Sequence, residues 1–229
     1  MTIGVLGGTG PAGKGIAARL ASVGHHVVIG SRDSKRAEAA AGELRTRWGN
    51  RVGTLAAGQN ADAAAAELVV IATKWDAAVP TAAAHADQLS GKVVISMANG
   101  LVKHGREFRP ALPPEGSLAA AVKAAAAGAH IVAAFHLVPA DALEDLDRSL
   151  SSDVLVAGDD EGRVTVLDLV DGIPDLRALD AGSLVNAVGI EAFSAALLTV
   201  NLRHHGEATL HLAGIGPRSS PSDPARGDR

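Results

Sequence analysis

The chain has 229 residues and a mass of 23.0 kDa, enough for one domain of ordinary size or one domain plus a small appendage. At 47% hydrophobic, 20% charged and a formal net charge of −4, it has the balance of a globular protein and lacks the basic face of a dedicated nucleic-acid binder. With no cysteine, no tyrosine and 2% aromatics, disulfide scaffolds, thiolate metal sites, cysteine nucleophiles, tyrosine acid–base chemistry and base-stacking platforms are excluded.

Met1-Thr2-Ile3-Gly4-Val5-Leu6 enters a strand-like run at once, with no basic leader or cleavage site, so no signal peptide is read. No apolar run reaches the length of a membrane span. The expectation is a cytoplasmic protein without membrane or nucleic-acid partners. Residues 3–6, 26–29, 68–72, 92–96, 131–135 and 154–156 are short apolar runs, mostly rich in Val and Ile and without alternation. That is the pattern of strands buried on both faces of a parallel sheet. Helix-compatible stretches lie between them at 11–22, 34–48, 75–89 and 116–127. Strand–helix alternation predicts an α/β fold, a Rossmann-type doubly wound parallel sheet.

The first turn carries chemistry. Gly8, Gly10 and Gly13 form G-x-G-x-x-G between a buried strand and a helix. Gly8 suits a tight turn, Gly10 close approach of backbone to a pyrophosphate, and Gly13 close helix–strand packing. Pro11 falls where a first helical turn accepts proline. Gly8 to Gly15 also comes near the triphosphate loop G-x-x-x-x-G-K-[ST]. The last position is Gly15, which offers no hydroxyl for a metal ion, so the dinucleotide reading is favoured.

The second strand ends Ile29-Gly30-Ser31-Arg32, where NAD enzymes place an acid about 20 residues after the glycines. A hydroxyl and a guanidinium stand there instead, with Lys35 and Arg36 close behind. Ser31, Arg32 and Arg36 suit a 2′-phosphate, which points to NADP. The plainer alternative is a solvated helix start capped by Asp33. Trp75 lies just past the third apolar run, at the edge of such sheets where ligands bind. Beyond residue 140 the rhythm weakens. Residues 141–150 and 160–170 are read as helices, and 173–179 as a short edge strand with Pro174 near its start. Residues 183–202 form a long helix, apolar on most faces, that suggests a homodimer interface or a cap on the cleft. Pro217 to Arg229 is read as a disordered tail. No histidine spacing suggests a metal site, and His204-His205 would point apart on a helix.

Taken with Gly24-His25, Trp75, His136-Leu137-Val138-Pro139-Ala140, Gly158-Asp159-Asp160 and Leu179-Asp180-Ala181-Gly182, the glycine loop and Gly30-Ser31-Arg32 make the chain resemble the NADPH-dependent reductases of coenzyme F420. The resemblance spans nearly all of the chain except the tail. It implies an NADP-binding Rossmann domain (1–140), a small C-terminal region completing a cleft (141–216), and hydride transfer between NADP(H) and the deazaflavin coenzyme F420. It places Thr9, Pro11, Ala12, Ser31, Arg32 and Arg36 on NADP, His136 and Val138 beside the stacked rings, and Ser194 near the deazaflavin. His136 would act by positioning, since transfer between two cofactors needs no nucleophile. The residues alone leave His136 equally readable as a strand-end histidine satisfied by backbone. Thr73-Lys74-Trp75 departs from the family's Ile-Pro-Trp, and Met97-Ala98-Asn99-Gly100 also differs. A reductase of another acceptor (imine, ferric or flavin) and a non-catalytic NADP sensor are the alternatives. Lys123 is the one candidate for a helix-borne catalytic lysine of the β-hydroxyacid type.

Overall fold

Ten strands and nine α-helices follow one another over residues 1–216, the part of the chain described by the computed structural model. Pro217 to Arg229, where a disordered tail is expected, lies outside the described residues. The strands are β1 (Thr2–Leu6), β2 (His26–Ser31), β3 (Leu55–Gln59), β4 (Leu68–Ile71), β5 (Val93–Ser96), β6 (Leu101–His104), β7 (Glu107–Pro110), β8 (His130–Ala133), β9 (Ser152–Gly158) and β10 (Leu176–Asp180). The helices are α1 (Pro11–Ser22), α2 (Ser34–Trp48), α3 (Asn60–Ala64), α4 (Trp75–Ala84), α5 (Ala86–Leu89), α6 (Leu118–Ala125), α7 (Ala140–Glu144), α8 (Asp160–Asp171) and α9 (Ala187–His204).

Eight strands form one sheet in the order β3-β2-β1-β4-β5-β8-β9-β10. The first six are mutually parallel. β9 turns antiparallel against β8 through Val132–Gly158 and Ala133–Ala157, and β10 runs parallel to β9. The winding direction reverses between β1 and β4, which opens a crevice at their carboxyl ends. Adjacent strand residues serve opposite faces. Leu68 and Val70 face the layer built by α1, α2, α7 and α8, while Val69 and Ile71 face α3, α4, α5 and α6. Both faces of the parallel part are therefore covered, as the unalternated Val/Ile runs require.

Several elements differ from the sequence reading. β3 and α3 were not expected, because Leu-Ala-Ala-Gly-Gln has no β-branched residue; pairing with β2 overrides that poor propensity. The β6–β7 hairpin was not expected either. Its two-residue turn is carried by Gly105 at φ 60°. The helix read at 75–89 breaks at His85 into α4 and α5. Pro174 precedes β10 and lies outside it.

The helix expected over 141–150 ends at Glu144, because the buried Arg19 takes the chain's carbonyls for itself. Its guanidinium donates to the carbonyls of Ala142 at 2.8 Å, Leu143 at 3.2 Å and Asp145 at 2.6 Å. The C-terminal helix expected over 183–202 begins as a 3-10 turn at Leu184–Asn186 and becomes α-helical at Ala187. Against the expectation that no run could span a membrane, Leu184–His204 is long and apolar enough by length and composition, with a mean hydropathy of 1.5. Its inner face is tied to the domain by Glu191, Ser194 and Thr199, all hydrogen-bonded inward.

Candidate functional site

The glycine loop sits at the carboxyl end of β1, beside the crevice. Gly7 has φ 70°, and its amide donates to Asn60 Oδ1 at 3.3 Å. The Gly8 amide donates to the Gly30 carbonyl at 2.9 Å, which ties the loop to β2. Gly10 is the N-cap of α1 and supplies no side-chain cap; the first turn holds no acid, and Pro11 occupies its start. The first-turn amides thus meet no side-chain cap, and the helix dipole has no acid to neutralise it. A Cβ on Gly10 would meet nothing within 4 Å, so the backbone there is open to close approach. These features fit a diphosphate.

Lys14 decides against the triphosphate alternative. Its ammonium lies 3.1 Å from Glu43 and 3.7 Å from Glu144, turned to carboxylates of α2 and α7. Gly15 has a packing role: a Cβ there would come within 2.8 Å of the Ala140 carbonyl on α7.

At the end of β2, Ser31 is buried and its Oγ accepts the Asp33 amide at 3.2 Å. Asp33 is the N-cap of α2, accepting from Lys35 N at 2.9 Å, as the plainer reading holds. Arg32 and Arg36 are exposed, and neither guanidinium has a partner among the described residues. Two unpaired guanidiniums beside a helix N-terminus suit a dianion.

The other half of the crevice is closed over. Four buried polar side-chain atoms without a hydrogen-bond partner cluster at the carboxyl ends of β4, β5 and β8: Thr73 Oγ1, Ser96 Oγ, and both ring nitrogens of His136. Trp75, the first residue of α4, stands 42% exposed beyond β4. Phe135, before His136, holds φ 65°, a strained setting for an aromatic residue and one that clusters at functional sites. The Asn99 amide donates to the His136 carbonyl at 3.0 Å, and Ser194 Oγ donates to Asn99 Oδ1 at 2.8 Å. His136 Nε2 lies 4.0 Å from Glu191 Oε1, both side chains fully buried. Burial pushes the imidazole down to about 4, against the opposing pull of the Ala98 backbone. It also pushes the Glu191 carboxyl up, against the amides of Leu118 and Ala119 at 2.7 and 3.0 Å.

The predicted residues therefore fall into two groups. Gly8, Gly10, Pro11, Gly13, Ser31, Arg32 and Arg36 gather at the open end, with Thr9 and Ala12 half-buried in the loop. His136, Val138 and Ser194 are buried, and Asn99 links the first to the third. Neither His136 ring nitrogen has a partner of hydrogen-bond geometry, and the backbone of Ala98 stands beside the ring. Lys123 is tied to the Ala129 carbonyl at 2.7 Å and to Asp159 at 2.8 Å. Asn60, Ser96 and Glu191 were missed. A lone acid in an apolar stretch was the one available signal for Glu191.

Comparison with known proteins gives a consistent result. The family model described as NADP oxidoreductase, coenzyme F420-dependent, matches residues 2–100. The F420-dependent NADP reductase of Methanocaldococcus jannaschii is 33% identical over 215 residues, covering 91% of this chain and 96% of its own. That of Methanothermobacter thermautotrophicus is 35% identical over 210 residues, covering 89% and 90%. Among solved structures, a protein of Arthrobacter sp. FB24 described as an F420-dependent NADP-reductase matches with a TM-score of 0.75. It is 30% identical and covers 90% of this chain and 95% of its own.

Proposed function

The chain belongs to the coenzyme F420-dependent NADP oxidoreductases, and on that premise we propose how its residues share the work of the enzyme. The reaction is hydride transfer between NADP(H) and the deazaflavin coenzyme F420. The observation that carries the NADP half is the pairing of an uncapped α1 N-terminus with the unpartnered Arg32 and Arg36. Gly8, Thr9, Gly10, Pro11, Ala12 and Gly13 line the diphosphate, and Ser31, Arg32 and Arg36 hold the 2′-phosphate. Residues 1–140 form the dinucleotide-binding part, and 141–216 complete the cleft.

The two cofactors supply the hydride chemistry themselves when bound. What remains for the chain is alignment and exclusion of water. His136 is a positioning residue beside the rings, with Val138 and Ser194 adjacent and Trp75 at the mouth. The orphaned polar atoms at the ends of β4, β5 and β8 support this reading. Polar groups buried without partners cost stability, and such groups are retained where a ligand completes them.

The exposed side of the C-terminal helix supports a homodimer. Val185 is 78% exposed and Phe193 44%, with Val188, Leu198 and Val200 also exposed. An apolar stripe of this kind is rarely left to water. A second copy of this chain in the cytoplasm is the occupant proposed here. Light scattering on the purified protein checks it: Phe193→Asp should halve the mass, and a wild-type monomer at micromolar concentration removes the proposal.

The enzymatic test mixes protein, NADPH and oxidised F420 and follows the deazaflavin's visible absorbance. A fast decline, much weaker with NADH and weakened in Arg32→Ala, is expected. Tight NADPH binding without any decline would keep the dinucleotide assignment and direct the search to another acceptor.

A further inference from the structure

The family reaction leaves the buried acid Glu191 without a role. Glu191 is fully buried on α9, and its two oxygens accept the first amides of α6, Leu118 and Ala119. Capping alone explains those two bonds. It does not explain why an acid was placed with one oxygen 4.0 Å from the Nε2 of a fully buried imidazole. Serine, threonine, asparagine or aspartate from a nearer segment is the ordinary cap, and Ser117 already supplies one for α6, accepting from Ala120 N at 3.0 Å.

Ser194 lies three residues further along α9, on the same face of the helix as Glu191. It reaches Asn99, and Asn99 holds the His136 carbonyl. One face of α9 therefore addresses His136 at two points: the backbone through Ser194 and Asn99, the ring through Glu191. A neutral imidazole has one N–H and one lone pair, and which nitrogen carries the proton follows from what each faces. The ring has two acceptors beside it, the Ala98 backbone and the Glu191 oxygen 4.0 Å from Nε2, and the charge of a carboxylate favours the proton at Nε2 over the pull of a neutral carbonyl. Nδ1 is then left as an acceptor.

We propose that Glu191 is a positioning residue that holds His136 in its Nε2–H form, so that Nδ1 accepts a hydrogen bond from the ligand at the ring-stacking site. The proposal rests on the reading that His136 stands beside the cofactors. The hydrogen-bond character it assigns is that of an amide N–H donor, which the carboxamide of a nicotinamide or the pyrimidine N–H of a deazaflavin can provide.

The test needs no cofactor at first. Protein labelled with 15N-histidine is examined by long-range 1H–15N correlation near neutral pH, with His136→Gln identifying the signal. The Nε2–H pattern is expected for His136. In Glu191→Gln the neutral side chain no longer draws the proton to Nε2, and the signal should move toward the Nδ1–H pattern. Ser194→Ala should leave the tautomer as it is, which separates the ring contact from general loosening of α9.

In turnover, Glu191→Gln should lower kcat on the order of tenfold with NADPH affinity unchanged. A wild-type Nδ1–H signal, or a tautomer indifferent to Glu191→Gln, overturns the proposal. Because the wild-type signal is read without any substrate, the proposal stands or falls even if Glu191→Gln does not fold. A failure of F420 reduction with the Nε2–H tautomer intact would instead count against the placement of His136 beside the rings.

Discussion

A Cβ built on Gly13 would lie 2.6 Å from the Cα of Gly8. The first turn of α1 thus rests directly on the loop that leaves β1, with backbone against backbone and no side chain able to give way. Gly10, between them, is the opposite case, with nothing within 4 Å of its missing Cβ. Two glycines of one motif do different work, and substitutions should separate them. Gly13→Ala should destabilise the fold by about 2 kcal/mol, the usual cost of overpacking. Gly10→Ala should leave the thermal midpoint unchanged while weakening NADPH binding at least about tenfold, because the methyl fills the space a phosphate would occupy. Thermal melts and fluorescence titration of NADPH on both variants check this.

Arg32 and Arg36 are exposed and unpartnered, so removing either leaves no buried charge behind. Arg32→Ala should raise the NADPH dissociation constant about ten- to a hundredfold, the worth of one charge-assisted contact. NADH binding should barely change, since it carries no 2′-phosphate. An equal loss for both nucleotides would show that the arginine serves the diphosphate or the adenine instead.

Arg19 joins α1 to α7 through backbone carbonyls alone, with bonds of 2.6 to 3.2 Å to Asp145, Ala142 and Leu143. Arg19→Met keeps the length of the stem and strands those carbonyls. A loss of about 2–4 kcal/mol is expected in urea unfolding, with most of it from unpaired buried groups.

The imidazole of His136 is held near 4 by burial, well below an ordinary histidine. Below about pH 6.5 the unfolded chain takes up a proton that the folded chain refuses. Stability should therefore be full above that pH and fall as the pH drops toward 4, by on the order of 3 kcal/mol. The raised Glu191 carboxyl acts with the opposite sign, its ionisation costing stability as the pH rises above the ordinary carboxylate range. His136→Leu should flatten the acid slope between pH 6.5 and 4 in denaturant melts. A slope that survives the substitution would assign it to another group.

The legible parts of this protein are those governed by near neighbours. β1, β4 and β8 announce themselves by Val/Ile runs because both faces of each are covered. Asp33 was readable as a cap because its partner is Lys35, two residues on. β3 was not readable, since its strand character comes from pairing with β2 and not from Leu-Ala-Ala-Gly-Gln. The near match to a triphosphate loop could be weighed but not resolved, because the direction of Lys14 depends on Glu43 and Glu144, far along the chain.

By itself the sequence determined the alternating layers, the glycine loop opening α1, and the basic end of β2. Each follows from propensity, turn chemistry and charge within a few residues of chain. Only the tertiary structure decided the surroundings of His136. There the Asn99–His136 bond spans 37 residues, Ser194–Asn99 spans 95, and Glu191–Leu118 spans 73. No local preference encodes such pairs. They exist because the sheet brings the ends of β5 and β8 together and α9 folds back across them, and a polar group in that interior must find its partner in space.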